Sequence, residues 1–162
     1  MATENMANAK KATTIKVILD TNFLLIPYQF HVDIFSEIER VVNFPYELCI
    51  TEGTMAELEK LSQSSAQKER LAAKLGLELV KSRFERPKNP LSRLLKAENA
   101  FEKQKNLKIV RGSHLKHNDD AILETASSED VVATQDKLLK QRLKEKKIRT
   151  ITLKQKKYLA VD

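Results

Sequence analysis

Five short runs of aliphatic and β-branched residues punctuate this chain, and helically spaced segments separate them. The runs cover residues 15–19, 48–51, 107–110, 131–134 and 148–153. Runs this short and this rich in Ile, Val and Leu suit buried strands. Between them, residues 32–42 place apolar side chains at 34, 35, 38, 41 and 42, the spacing of one helix face. Residues 53–61, 65–84, 118–127 and 137–146 read the same way, and 91–104 as a weaker helix. Strand alternating with helix predicts an α/β fold, a parallel sheet with helices on both faces.

In such a sheet, ligands bind beyond the carboxyl ends of the strands. Asp20 follows the first run. Glu57 lies early in the helix after the second, Asp119 and Asp120 open the helix after the third, and Asp136 follows the fourth. Four segments therefore deliver carboxylates to one rim. Helix phase chooses between neighbours: Glu57 flanks Leu58 and precedes Leu61 by a turn, whereas Glu59 aligns with Ser62 and Gln63. By the same reasoning Asp119 aligns with Ile122, and Asp120 becomes a secondary group.

Each acid also has a purely structural reading. Asp136 before Lys137-Leu138-Leu139 suits a helix N-cap. Thr54-Met55-Ala56-Glu57 fits a capping box, Asp119 favours the helix dipole, and Asp20 suits a turn. What those readings leave unexplained is the convergence. Clustered carboxylates cannot all ionise near neutral pH without compensation, and oxygen-only donors point to Mg²⁺ or Mn²⁺. Such an ion activates water against a phosphodiester without a nucleophilic side chain.

Other chemistries fit poorly. The three glycines, Gly53, Gly76 and Gly112, cannot build a dinucleotide fingerprint or a P-loop. A single cysteine, Cys49, leaves no disulfide framework. His114 and His117 lack a third nitrogen or sulfur ligand nearby, which disfavours zinc; they read as phosphate contacts or, by preference, as ordinary loop histidines. A response regulator wants an acidic pair at the first strand; a phosphatase wants a second aspartate where Asn22 stands.

The net charge of +7 favours a polyanionic partner. Residues 137–157 hold ten Lys and Arg against one acid, Glu145. Lys137, Lys140, Lys144 and Lys147 follow helical steps and predict a basic ridge for RNA. A second basic stretch contains Arg83, Arg86, Lys88, Arg93 and Lys96. The opening MATENMANAKKATT is polar and is expected to form a loose tail over 1–14, with one ordered domain over 15–162. No apolar run approaches the roughly 18 residues a membrane span needs, so no membrane partner is expected and a cytoplasmic location is.

The motifs resemble a known family. Ile18-Leu19-Asp20-Thr21-Asn22, Ala56-Glu57-Leu58-Glu59-Lys60-Leu61, Asp119-Asp120-Ala121-Ile122 and Val132-Ala133-Thr134-Gln135-Asp136 are similar, in this order, to the four motifs of PIN-domain nucleases. The resemblance implies a three-layer PIN-like fold with a five-stranded parallel sheet of order 3-2-1-4-5. It implies Mg²⁺- or Mn²⁺-dependent endoribonuclease activity with Asp20, Glu57, Asp119 and Asp136 as metal-holding acids. Asn22 and Thr134 match its supporting polar positions. The AELEKL and VATQD wording looks closest to the archaeal and eukaryotic branch that processes small-subunit rRNA. That implies an rRNA precursor as partner, and a nucleolar location if the source is eukaryotic. A toxin-type ribonuclease paired with an antitoxin and a non-catalytic RNA-binding assembly factor are the alternatives. The sequence leaves the oligomeric state open, a homo-oligomer included.

Overall fold

A computed structural model describes residues 14–84, 107–112 and 117–162. The 91–104 helix, Arg86, Lys88, Arg93, Lys96, His114 and nearly all of the expected tail lie outside the described residues.

Strand β1 (Ile15–Leu19) is central, with β2 (Tyr46–Thr51) and β3 (Leu107–Val110) on one side and β4 (Val131–Ala133) and β5 (Arg149–Lys154) on the other. All four of these pairings are parallel. The expected order 3-2-1-4-5 is thus the one found. Side chains alternate along β1: Val17 and Leu19 enter one core, Ile18 the other. The larger core packs beneath α1 (Thr21–Leu24), α2 (Ile26–Phe30), α3 (Ile34–Val41), α4 (Glu52–Leu61) and α5 (Gln67–Phe84). The smaller packs beneath α6 (Asn118–Thr125) and α7 (Lys137–Glu145), through Ile122, Leu123, Leu139 and Leu143. Helices on both faces make three layers.

The sheet has a sixth strand that the sequence did not announce. β6 (Tyr158–Val161) pairs antiparallel with β5. Its turn holds Gln155 at φ 51° and Lys156 at φ 56°, with the Lys157 amide donating to the Lys154 carbonyl at 3.0 Å. Two successive left-handed residues are the hairpin geometry that normally selects Gly or Asn. Here Gln and Lys adopt it, so no turn signal was visible. Tertiary bonds hold the strand: Glu37 Oε2 accepts from the Leu159 amide at 2.9 Å, and Arg40 donates to the Leu159 carbonyl at 2.9 Å. Two further departures are local. The chain turns straight from β1 into α1 and α2, and Lys147 (φ 58°) lies beyond α7 in the left-handed region. No described helix is long and apolar enough to cross a membrane.

Candidate active site at the β1–β4 switch point

The strand order reverses between β1 and β4, whose carboxyl ends therefore open a crevice. Asp20 sits at its floor. The backbone brings it there through its own amide, which donates to the Ala133 carbonyl at 2.9 Å. The side chain is only 5% exposed. Its Oδ1 accepts from the Thr21 amide at 2.7 Å, capping α1, and its Oδ2 accepts from the Thr134 hydroxyl at 2.7 Å. Thr134 in turn accepts from the Asp136 amide at 3.1 Å. Asn22 ties the same corner together, accepting from the Gln135 amide at 3.3 Å.

Three further acids surround this floor. Glu57, on α4, is tied to β1's end by the Thr21 hydroxyl, which donates to Glu57 Oε2. Asp119, in the first turn of α6, is half-buried. Asp136 caps α7, accepting from the Leu139 amide at 2.7 Å. The electrostatics register their proximity. Burial pushes Asp20 up from 3.8 to about 6, against the Thr134 and Thr21 bonds, and the charges of Asp119 and Glu57 add to the rise. Burial, then the charges of Asp136 and Glu57, also raise Asp119.

Asp130 provides the contrast within the same molecule. It is 3% exposed but lies before β4, where it receives the Lys16 and Ser127 amides at 2.8 Å each. Burial works to raise it, yet these bonds and the Lys16 charge hold it below the usual carboxylate range. A satisfied structural aspartate is stabilised in its charged form. Asp20 is not, although it too is hydrogen-bonded.

The chain matches the family described as "PIN like domain" over residues 17–90 and 93–156. The chain belongs to the PIN-like domain family. It is 32% identical over 150 residues to "Ribonuclease VapC4" of Methanocaldococcus jannaschii, covering 90% of this chain and 95% of that protein. It also superposes on the structure of the PIN domain endonuclease Utp24 with a TM-score of 0.61 at 24% identity, over 91% of this chain and 90% of that one. The second likeness supports the fold alone.

For this PIN-like domain, the structure brings Asp20, Glu57, Asp119 and Asp136 to one rim with Asn22 and Thr134 behind them. The reasons differ in part from those read in the sequence. Thr51, not Thr54, caps α4, so the Thr54–Glu57 capping box does not form. Glu57 is an exposed residue, not a buried one; its bond to Thr21 is what aims it. Asp120 is no more remote than Asp119. Both are half-buried and both line an open pocket of about 300 Å³ with Glu57, His117, Asn118 and Arg142. His117 therefore belongs to the site's wall. Among the described residues, no three His, Cys, Asp or Glu side chains are already gathered closely enough to hold a metal ion.

The basic residues separate. Leu139 and Leu143 anchor α7 in the core. At about 100° per residue, Lys137, Lys140 and Lys144 fall on one flank of that helix and Arg142 on the other. Lys140 is near Asp162 at the far edge of the sheet, whose carboxyl is held low chiefly by Lys154 and Thr152, with Lys140 contributing. Lys147 lies outside the helix and does not continue the step. Arg83 lies over the Phe35 ring, 4.0 Å from its centroid.

Sequence reasoning missed a polar clasp. Thr51 Oγ1 accepts from the Thr54 amide at 3.1 Å and donates to Asn118 Oδ1 at 2.5 Å; Asn118 Nδ2 donates to Thr54 Oγ1 at 2.9 Å. Both threonines are fully buried. The clasp joins the start of α4, which carries Glu57, to the start of α6, which carries Asp119. Gly53 leaves the room, since a Cβ there would stand 2.6 Å from Asn118 Oδ1. The signal was an Asn beside the motif aspartate, opposite a helix-opening Gly.

Proposed function

We propose that this chain is a divalent-metal-dependent endoribonuclease, with Asp20, Glu57, Asp119 and Asp136 holding the ion. The observation that carries the reading is the buried Asp20. It is fixed by two hydrogen bonds, yet surrounded by acids that oppose its ionisation. The donor set is entirely hard oxygen, which fits Mg²⁺ or Mn²⁺. When bound, such an ion supplies an activated water and stabilises charge on the phosphodiester.

The chain's own residues do the positioning. Thr134 and the Thr21 amide each donate to one oxygen of Asp20 and so fix the plane of its carboxylate, and each oxygen keeps a further lone pair for a ligand. Thr21 holds Glu57 toward the same point. The first turn of α6 delivers Asp119 beside Glu57 and Asp136, whose charges help to raise its carboxyl. Asp136 is anchored as a cap through Oδ1, and its other oxygen is the ligand atom in this reading. In this reading water is the attacking group.

RNA as the substrate rests on the ribonuclease relative. The rRNA-precursor reading rests on the motif wording, and a toxin-type ribonuclease is the alternative. The test is Mn²⁺ titration by calorimetry with wild type and Asp20→Asn, followed by cleavage of a small-subunit rRNA precursor and an unrelated mRNA. Site-selective cuts in the precursor support processing. Indiscriminate cutting with growth arrest on expression supports the toxin-type role. Unchanged Mn²⁺ affinity in a folded Asp20→Asn protein refutes the metal assignment.

A further inference from the structure

Arg142 stands apart from the other cations of α7. It lies on the flank facing α6 and lines the pocket that Glu57, Asp119 and Asp120 also line. Its Nη2 donates to Asp120 Oδ1 at 2.6 Å. This uses one nitrogen of a guanidinium that offers a planar fork of five N–H donors. The partners are 47% and 35% exposed. An ion pair so open to water is weak and readily exchanged. The pocket, about 300 Å³, is the size of a small ligand site. His117, on its wall, is a further nitrogen donor.

We propose that Arg142 is a phosphate-binding residue that exchanges the Asp120 carboxylate for a phosphodiester of the RNA backbone entering this pocket. The inference deepens the endoribonuclease reading and rests on it for the identity of the polyanion. Three features make the exchange specific. The guanidinium fork matches a phosphate as well as it matches a carboxylate. The cation sits beside the acids, so a phosphate held by it is presented to them; the ridge of Lys137, Lys140 and Lys144 faces the other way. Asp120 meanwhile neutralises Arg142 and holds it at the pocket when no RNA is bound, which gives this second motif acid a role distinct from that of Asp119. Charge is exchanged for charge, and no covalent step is involved.

The test is fluorescence anisotropy of a labelled single-stranded RNA in Ca²⁺ buffer at several KCl concentrations. Wild type, Arg142→Gln, Arg142→Lys, Asp120→Asn and the Asp120→Asn/Arg142→Gln double variant are compared, each checked for folding by its melting curve. Arg142→Gln is expected to weaken binding about tenfold, the scale of a lost charge-assisted hydrogen bond, and to flatten the salt slope by about 0.7. Arg142→Lys should keep the slope and recover only part of the affinity, since it keeps charge but loses the fork. Asp120→Asn should tighten binding about threefold, because phosphate no longer competes with a carboxylate. That gain should vanish in the double variant. Wild-type affinity in Arg142→Gln, or an equal Asp120→Asn gain with and without Arg142, overturns the proposal. Cleavage of the same RNA by wild type in Mn²⁺ reports separately on the nuclease reading. RNA bound through Arg142 but never cut removes the nuclease and leaves the phosphate site. RNA cut but bound without Arg142 does the reverse.

Discussion

Asp20→Asn should stabilise the metal-free protein at neutral pH. In the folded state burial holds this carboxyl at about 6, against 3.8 for the free group. At about 1.4 kcal/mol per pH unit, ionising it costs the fold about 3 kcal/mol. Folding raises this acid, so the native state binds more protons than the unfolded chain between pH 3.8 and about 6. Its contribution to stability therefore falls as pH rises through that window, and the full cost is present above it. Asparagine carries no charge to desolvate. Its Oδ1 can still accept from the Thr21 amide, and its Nδ2 can donate to Thr134 Oγ1, so the hydrogen bonds survive the exchange. The assay is urea denaturation in EDTA at pH 7 and pH 4. The variant should gain about 1–3 kcal/mol at pH 7, allowing for imperfect bond replacement, and little at pH 4. Adding Mn²⁺ should reverse the order, because only the wild type gains the binding free energy of a ligand that selects the folded state. A variant less stable than wild type at pH 7, or a gain that is the same at both pH values, refutes the reasoning. It would mean that the hydrogen bonds outweigh the burial cost, as they do at Asp130.

Three other outcomes are expected. Glu57→Gln should abolish RNA cleavage while Glu59→Gln leaves it near wild type, since Thr21 aims only the former at the rim; equal losses in a cleavage assay would undo the assignment. Gly53→Ala should displace Asn118 and break its bond to Thr51. Stability should change by no more than about 1 kcal/mol, because a lost hydrogen bond is partly offset by better helix propensity. The cleavage rate should nevertheless fall, on the order of tenfold to a hundredfold as Asp119 shifts from Glu57; an unchanged kcat would show that the clasp does not position the acids. Replacing Lys140 and Lys144 together with Ala should weaken RNA binding and flatten its salt slope by about 0.7 per lost contact. Wild-type slope and affinity would make this flank of α7 a solvated face.

Much of this protein is written locally. Ile15 to Leu19 has to be a strand because its β-branched and aliphatic side chains suit a sheet buried on both faces, and parallel pairing follows from helices between strands, whereas the order 3-2-1-4-5 came from the family resemblance. The four rim acids follow from the same logic: Asp20, Asp119 and Asp136 stand where a strand ends or a following helix begins, and Glu57 lies one turn further along its helix. The family motifs sharpen that reading without changing it. What the sequence could not show was anything settled by contact between distant residues. β6 forms although Gln155 and Lys156 give no turn signal, because Glu37 and Arg40 of α3 hold Leu159 from another layer. Glu57 looked buried by helix phase. It is exposed, and it is held near Asp20 by the Thr21 hydroxyl, 36 residues away, which donates to it. Arg142 was one cation in a run of lysines until α7 docked through Leu139 and Leu143, which turned it toward α6 and Lys137, Lys140 and Lys144 away. Periodicity records which face of an element is apolar; it does not record which neighbour that face meets. The acids were therefore decided by the sequence, and the hydrogen bonds and counter-charges that aim them were decided only by packing.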